Sequence, residues 1–310
     1  MLSRVADRVF WMARYLERAE SIARVAHTFS HLMMDLPKGT EVSWGTLLDI
    51  FDVSQEFTDL ALPFGEYEVL EFMIASSENV GSIRYAIKSA RENARTTRDV
   101  LPDEVWESVN ELHMYSKEFA EKSVARRNRF KFLNHVVKRC HALNGLMMTT
   151  QRRDHTYRFI KLGHLLERVD VTTRVVATVS QAIDSRDRSN PAFDALIWAG
   201  FLESLSAIGN YRRCIGPMVA PHSAVNFVFL EPELPRSIVF CLNGIRKALT
   251  DLKRHEQALV PIDEALAMLE SFDAEKLSPA SMHQVVEDLQ SCAERLSIIT
   301  STTWFLPVTR

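Results

Sequence analysis

Apolar residues recur along most of this chain at steps of three and four. From Ser3 to about Met34, the residues Val5, Val9, Met12, Leu16, Ala19 and Ala23 fall on one helical face. Pro37-Lys38-Gly39 predicts the end of that helix. Shorter helices are expected over 43–62 and 66–76, separated by Pro63 and Gly65. Residues 79–100 read as another long helix, with Ile83, Ile87, Ala90 and Ala94 inward. Pro102 breaks it and opens the next, at a position where a missing N–H costs little. Helical periodicity continues through 103–124, 128–150 and 155–184. After the loop at Ser189-Asn190-Pro191, a helix is expected over 192–207. Gly216-Pro217 and Pro221 mark an irregular stretch, and the turn Glu231-Pro232-Glu233-Leu234-Pro235 precedes a further helix. Residues 251–269 read as helical with an interruption near Pro261, and Ser278-Pro279 starts the last helix, to about Thr303. Val/Ile/Thr runs bounded by turn residues are nearly absent, so few or no strands are expected. The fold class is all-α, a large helical bundle.

Sliding the chain on itself by 150 positions superimposes like residues. Arg8, Leu16, Glu17, Arg18, Arg24 and Val25 fall on Arg158, Leu166, Glu167, Arg168, Arg174 and Val175. Glu20 falls on Asp170, Met12 on Leu162, and Ala13 on Gly163. The register holds without a gap from position 8 to position 25. This reads as internal duplication: one all-helical domain over 1–310, with repeat units of about 1–150 and 151–310. On each long helix a stripe at i, i+7 and i+14 carries one apolar residue, one acid and one arginine: Phe10, Glu17 and Arg24, then Ile160, Glu167 and Arg174. The stripe lies beside the apolar face, so the acids are expected to be partly inside. A buried carboxylate needs a partner. Glu17 and Arg18 are neighbours in sequence and do not face each other on a helix. The two helices are therefore expected to pack antiparallel about a pseudo-twofold axis, with Glu17 reaching Arg168 and Glu167 reaching Arg18.

Composition agrees with helix. Only 10 glycines and 11 prolines occur in 310 residues, and 46% of residues are hydrophobic. The net charge of −3 argues against the whole chain binding nucleic acid. Charge is unevenly spread, however. Lys122 to Arg158 holds ten Lys/Arg and the single acid Asp154, whereas Asp251 to Glu294 holds ten acids against Lys253, Arg254 and Lys276. Two solvated faces explain this, and so does an anion-binding surface near 122–158. Cys140, Cys214, Cys241 and Cys292 are widely spaced with no CxxC, which suits reduced thiols in a cytoplasmic protein. The opening Met1-Leu2-Ser3-Arg4-Val5-Ala6-Asp7-Arg8 is not expected to be a signal peptide, and no membrane span is expected.

Four segments together resemble the bacterial alpha-E family: Tyr15-Leu16-Glu17-Arg18-Ala19-Glu20, Leu166-Glu167-Arg168-Val169-Asp170, Arg91-Glu92-Asn93-Ala94-Arg95 and Leu234-Pro235-Arg236-Ser237. Met1-Leu2-Ser3-Arg4 and Trp11-Met12 fit it too, and the resemblance spans almost the whole chain. That family is a set of all-helical proteins named for a Glu-Arg motif. The resemblance implies partners: a circularly permuted ATP-grasp ligase and, beside it, a transglutaminase-like peptidase. It implies a setting of small-peptide synthesis or modification by amide-bond formation, with ATP and Mg entering only through the partner ligase and no intrinsic cofactor. Two departures stand out. Ala13 stands where the family commonly has Gly, and His164 where the second motif commonly has Arg, which separates the two halves as anion sites.

No Gly-rich phosphate loop is present. His255-Glu256 lacks the second His of a zinc helix. Glu17-x-x-Glu20 and Glu167-x-x-Asp170 lack the His of a di-metal bundle, so no metal is expected. No nucleophile elbow marks a Ser-His-Asp set. The candidate centre is Glu17, Arg18, Glu20, Arg24, Glu167, Arg168, Asp170 and Arg174, read either as a buried ionic network or as a pocket gripping a carboxylate or phosphate through planar guanidinium forks. Secondary candidates are Arg91, Asn93 and Arg95, the Tyr211-Arg212-Arg213 run before Gly216-Pro217, and Arg236. The tryptophans read as core, the Met33-Met34 and Met147-Met148 pairs as core filling ahead of a partner groove, and the tail Trp304-Phe305-Leu306-Pro307 as a segment that docks on the chain itself or contacts a partner. Three functions stay open: an accessory or substrate-binding partner of an amide ligase, an enzyme using Glu17 or Glu167 as acid/base beside an Arg-held carboxylate, and a structural homo-oligomer.

Overall fold

The computed structural model describes residues 3–36, 42–184, 191–276 and 278–306. Met1-Leu2, Pro37-Lys38-Gly39, Ser189-Asn190 and Pro307 lie outside the described residues. Fourteen α-helices and no strand are found among the described residues. They are α1 (Ser3–Asp35), α2 (Gly45–Ile50), α3 (Ser54–Asp59), α4 (Glu66–Ile74), α5 (Ile83–Arg95), α6 (Asp103–Phe119), α7 (Arg126–Thr150), α8 (His155–Asp184), α9 (Pro191–Ser204), α10 (Ile208–Cys214), α11 (Pro221–Leu230), α12 (Ile238–Thr250), α13 (Glu256–Glu270) and α14 (Pro279–Thr300).

The differences from the sequence reading have local causes. The stretch expected as one helix over 43–62 splits into α2 and α3, because Asp52 takes a left-handed conformation, φ 54°. The helix expected from 79 starts four residues later, where Ser82 caps α5 by accepting the Tyr85 amide at 3.0 Å. It stops early because the Thr96 and Thr97 hydroxyls turn back onto the carbonyls of Glu92 and Asn93. Pro261 does not interrupt α13, which runs through it. The irregular stretch after 207 hides the short helix α10, and Pro221 opens α11 from its first turn.

At the centre lies α1. Every residue from Ala19 to Ala26 is buried, so the helix has no solvent face there. Around it pack α5, α7, α8 and α9, while α12 and α14 pack on α8. Arg14, Glu17, Glu20 and Arg24 on this helix are all buried, and their charges must be neutralised within the protein.

The two long helices α1 and α8 run parallel, which corrects the antiparallel expectation. Gly163 abuts Phe10, Arg14 and Arg18 meet Glu167, and Val25 and Val175 line one recess, so contacts advance together along both chains. Reciprocal Glu-Arg pairs are satisfied by a twofold axis along the helices as well as across them. The residue types therefore left the direction open. The crossing is tight at Gly163: a Cβ there would sit far inside van der Waals contact with the Phe10 carbonyl oxygen. Of the two readings of the apolar tail, docking on the chain itself is seen: Phe305 packs tilted against Phe10 and Phe159 at centroid distances of 5.3 and 5.8 Å, and Trp304 Nε1 donates to the Lys253 carbonyl at 2.9 Å. Of the methionine pairs, Met147 is buried but Met34 and Met148 are exposed, so core filling holds for only part of them.

Two helical glycines in different surroundings, Gly163 against the Phe10 carbonyl and Gly145 facing open space, predict opposite outcomes. Gly163→Ala forces the two central helices apart and costs about 1–3 kcal/mol, the range for overpacking. Gly145→Ala in α7 meets open space and gains about 0.4–1 kcal/mol from chain entropy and propensity. Urea unfolding of both variants checks the pair.

Candidate functional site

Two acids one turn apart on α1 build the first half of the centre. Glu17 is fully buried. Its Oε1 accepts from Arg168 Nε at 2.9 Å and from Arg236 Nη1 at 2.8 Å, and its Oε2 accepts from Arg168 Nη2 at 3.2 Å. His164 Nδ1 lies 3.0 Å from the same Oε2. Glu20 is equally buried. It accepts from Arg236 Nη2 at 2.7 Å and from Arg24 Nε at 3.0 Å, with His141 Nε2 at 3.0 Å. One guanidinium, that of Arg236, therefore bridges both carboxylates. Local structure aims it. Ser237 caps α12 by accepting the Phe240 amide at 3.1 Å, its hydroxyl donates to the Glu231 carbonyl, and Arg168 Nη1 donates to the Pro235 carbonyl at 2.9 Å.

The second half lies on α8. Glu167 Oε2 accepts from Arg14 Nε at 2.6 Å and from Arg18 Nη2 at 3.1 Å, and its Oε1 accepts from Arg18 Nε at 2.5 Å. Asp170 Oδ1 accepts from Arg174 Nε at 3.1 Å, while Arg14 Nη2 stands 3.9 Å from Oδ2, outside hydrogen-bond reach. Arg174 Nη1 also reaches Asp52 at 2.8 Å. Beside these groups a recess of about 180 Å³ opens toward solvent, walled by Arg18, Asp52, Gly81, Glu167, Asp170 and Arg174. Glu17 thus meets Arg168 and Glu167 meets Arg18.

Charge stabilisation wins over burial at the three buried glutamates, while burial wins at Arg24, whose guanidinium is weakened by burial and by Arg236. Burial pushes the carboxyls of Glu17, Glu20 and Glu167 upward, yet the arginines around them hold all three below the ordinary carboxylate range. The guanidiniums of Arg18 and Arg168 are correspondingly strengthened by Glu167 and Glu17. His164 goes the other way, lowered to about 4 by burial and by Arg168, although Glu17 opposes this. Its hydrogen bonds give the reason. Arg168 Nη2 donates to Nε2 at 2.6 Å, so Nε2 is the acceptor and Nδ1–H faces Glu17. A proton on Nε2 would point at a guanidinium. Two thiols border the centre, and burial raises Cys140 well above its ordinary value and Cys241 to about 12.

The secondary candidates sit elsewhere. Arg91 donates to Asn110 and pairs with Glu92 on the α5–α6 surface, and Arg95 pairs with the same Glu92. Asn93 offers its carbonyl to Thr97. Tyr211 is buried against the turn after α10, where its hydroxyl meets the Met218 carbonyl and the Ala220 amide. Arg212 and Arg213 are exposed in the last turn of α10 and line no part of the centre. Of the secondary set, Arg236 alone joins the network. Sequence reasoning missed Arg14, His164 as a working partner, His141 and Asp52. The signal for the first two was present: both stand three residues before a motif Glu, at matching positions under the 150-residue shift. No group of three or more His, Cys, Asp and Glu able to hold a metal occurs among the described residues. No helix among them is long and apolar enough to cross a membrane.

The family model described as Alpha-E, a predicted alpha-helical domain with a conserved ER motif, matches residues 1–305. The chain belongs to the Alpha-E family. Comparison with curated proteins and with solved structures yields no match. In this Alpha-E chain the Glu-Arg pairs at 17–18 and 167–168 fit that description, each pair divided between two helices: the acid bonds across to the opposite helix, and so does the arginine.

Breaking the network is expected to be costly. Glu17→Ala leaves Arg168 and Arg236 buried without their shared acceptor, for roughly 3–5 kcal/mol. Chemical denaturation checks it, and an unchanged midpoint contradicts the burial. Acid should weaken the fold for two reasons with the same sign. The unfolded chain binds a proton at His164 near pH 6.5 and the folded chain only near 4, so stability falls as pH drops through that window. Below it, the depressed carboxylates add their own loss. His164→Gln keeps a donor toward Glu17 and an acceptor toward Arg168 and has no titrating ring. It should flatten the slope of stability between pH 6.5 and 4, which denaturation at both pH values measures.

Proposed function

We propose that this chain acts as a binding and assembly partner in an ATP-dependent amide-ligase system, not as a catalyst on its own. The carrying observation is the state of its buried acids. A general acid or base works best with a pKa near the working pH. Glu17, Glu20 and Glu167 are pushed away from that range, and arginine forks occupy their oxygens. The neighbouring thiols are held protonated, which removes them as nucleophiles. This arrangement suits a rigid frame that presents surfaces and a recess, and it weighs against acid/base chemistry by Glu17 or Glu167. The ligase context rests on the family resemblance, which places alpha-E proteins beside circularly permuted ATP-grasp ligases and transglutaminase-like peptidases. In this reading ATP and Mg are bound by the ligase, the chain is cytoplasmic, and its two halves, about 1–150 and 151–310, are one duplicated unit within a single domain. The matching Ser82 and Ser237 caps of two 13-residue helices support the duplication.

Co-expression of the tagged chain with a circularly permuted ATP-grasp ligase tests the proposal. A complex that survives gel filtration is expected, together with faster ATP-dependent amide formation by the ligase when the chain is added. Absence of both overturns it. So does turnover by the chain alone that Glu17→Gln abolishes, which restores the enzyme reading. Gel filtration of the chain alone reports self-association in the same experiment.

A further inference from the structure

The two halves of the centre differ at one place in a way that leaves room. Gly81 and Arg236 occupy equivalent positions. Each directly precedes the Ser that caps a 13-residue helix, α5 or α12. Each of those serines donates its hydroxyl to the carbonyl six residues back, Ser82 to Ser76 and Ser237 to Glu231. α5 packs on α1 and α12 on α8. The residue before each cap faces the acid pair of the other long helix: Arg236 reaches Glu17 and Glu20, and Gly81 lines the recess with Glu167 and Asp170. Where Arg236 puts a guanidinium between two carboxylates, Gly81 puts nothing.

The charge count follows the same line. Glu20 has two guanidinium partners, Arg24 and Arg236. Asp170 has Arg174 within hydrogen-bond distance, and Arg174 is shared with Asp52. Arg14 serves Glu167 and falls short of Asp170. Around the recess Asp52, Glu167 and Asp170 meet Arg14, Arg18 and Arg174, but two of the three arginines are committed to Glu167, so Asp170 and Asp52 share Arg174 alone at the mouth. Asp170 is also one methylene shorter than Glu20, which widens the space. At about 180 Å³ the recess is smaller than the roughly 300–1,000 Å³ of pockets for drug-sized ligands, and suits a single functional group on a short chain.

We propose that the recess between Gly81, Asp52 and Asp170 is a binding site for a guanidinium group carried by a ligand, seated where Arg236 sits in the other half. A planar fork donates to two carboxylates at once, as Arg236 does to Glu17 and Glu20, which a spherical ammonium does less well. Gly81 brings no side chain to the recess, and a Cβ on it would come within 2.8 Å of Val53 Cγ1, another residue of the wall. The assignment goes beyond the ligase reading and does not depend on it.

The test is titration of the purified full-length chain with agmatine, free arginine and N-acetylarginine amide at constant ionic strength, followed by thermal unfolding and calorimetry. Methylammonium and acetate serve as controls. Guanidino compounds should raise the unfolding temperature saturably and bind at least about tenfold more tightly than methylammonium, with acetate inert. Asp170→Asn and Asp52→Asn, both folded by circular dichroism, should each weaken binding by a similar factor; Asp52 is exposed, so that variant is safe for folding. Equal binding of all three guanidino compounds assigns the site to an arginine side chain or any small guanidine. Binding of arginine alone assigns it to the free amino acid. No saturable binding, equal binding of methylammonium, or affinity unchanged in both variants overturns the proposal.

Discussion

Carboxylates removed from water at the crossing of two parallel helices set the terms for the rest of this molecule. α1 is enclosed along its middle turns, so Glu17 and Glu20 have no recourse to solvent. Desolvation alone would drive both acids to their neutral forms. Instead, three arginines from three separate elements converge on them: Arg168 from α8, Arg236 from the approach to α12, and Arg24 from α1 itself. The chain between these points must fold so that all three arrive together. The capped turn at Ser237 and the tight crossing at Gly163 follow from that requirement.

The centre is reciprocal without being symmetric. Under the 150-residue shift His164 corresponds to Arg14, and the residues before the two helix caps are Arg236 and Gly81. Each half thus has one cation from a different source. On the α1 side a neutral His164 leaves Glu17 to be balanced by Arg236. On the α8 side Arg14 balances Glu167 directly, which frees the position before α5. The exchange keeps two guanidiniums on each motif glutamate, Arg168 and Arg236 on Glu17 and Arg14 and Arg18 on Glu167, and moves the consequences outward, to Asp170 and Asp52 at the mouth of the recess. A His at 164 is tolerated because Arg168 fixes its tautomer, so burial adds no charge.

Sequence alone exposes the helices well, because their apolar spacing and their breakers agree. It also exposes the Glu-Arg pairs, because two acids with like surroundings recur 150 positions apart. Three things escape it. Helix direction escapes, since reciprocal pairing holds for either orientation of the axis. The partners on other helices escape: His141 bonds to Glu20 on a different helix and no spacing reports that, while the matched positions of Arg14 and His164 mark the two residues without saying which acid each meets. The recess escapes because it is made by the absence of a side chain at Gly81 and a left-handed turn at Asp52, and periodicity is blind to both. Arg236, by contrast, was visible only as part of a motif, and its role as the bridge between Glu17 and Glu20 needed the fold.

An ion network of this kind is a poor device for raw stability. Buried pairs roughly break even against well-packed apolar residues, because the cost of desolvation consumes most of the Coulomb attraction. What they supply is intolerance of misplacement. Slipping α8 along α1 by one turn moves it about 5.4 Å. Apolar contacts such as Leu16 with its neighbours can re-form after such a slip. The hydrogen bonds of Glu17 and Glu167 cannot, and each would leave a buried charge alone. The network therefore converts a helix pair that could settle in several registers into one with a single register. A recess built from backbone at Gly81 and side chains on α8 keeps its shape only if that register is fixed. The buried charges and the open site are in this sense one construction, the first holding the second in place.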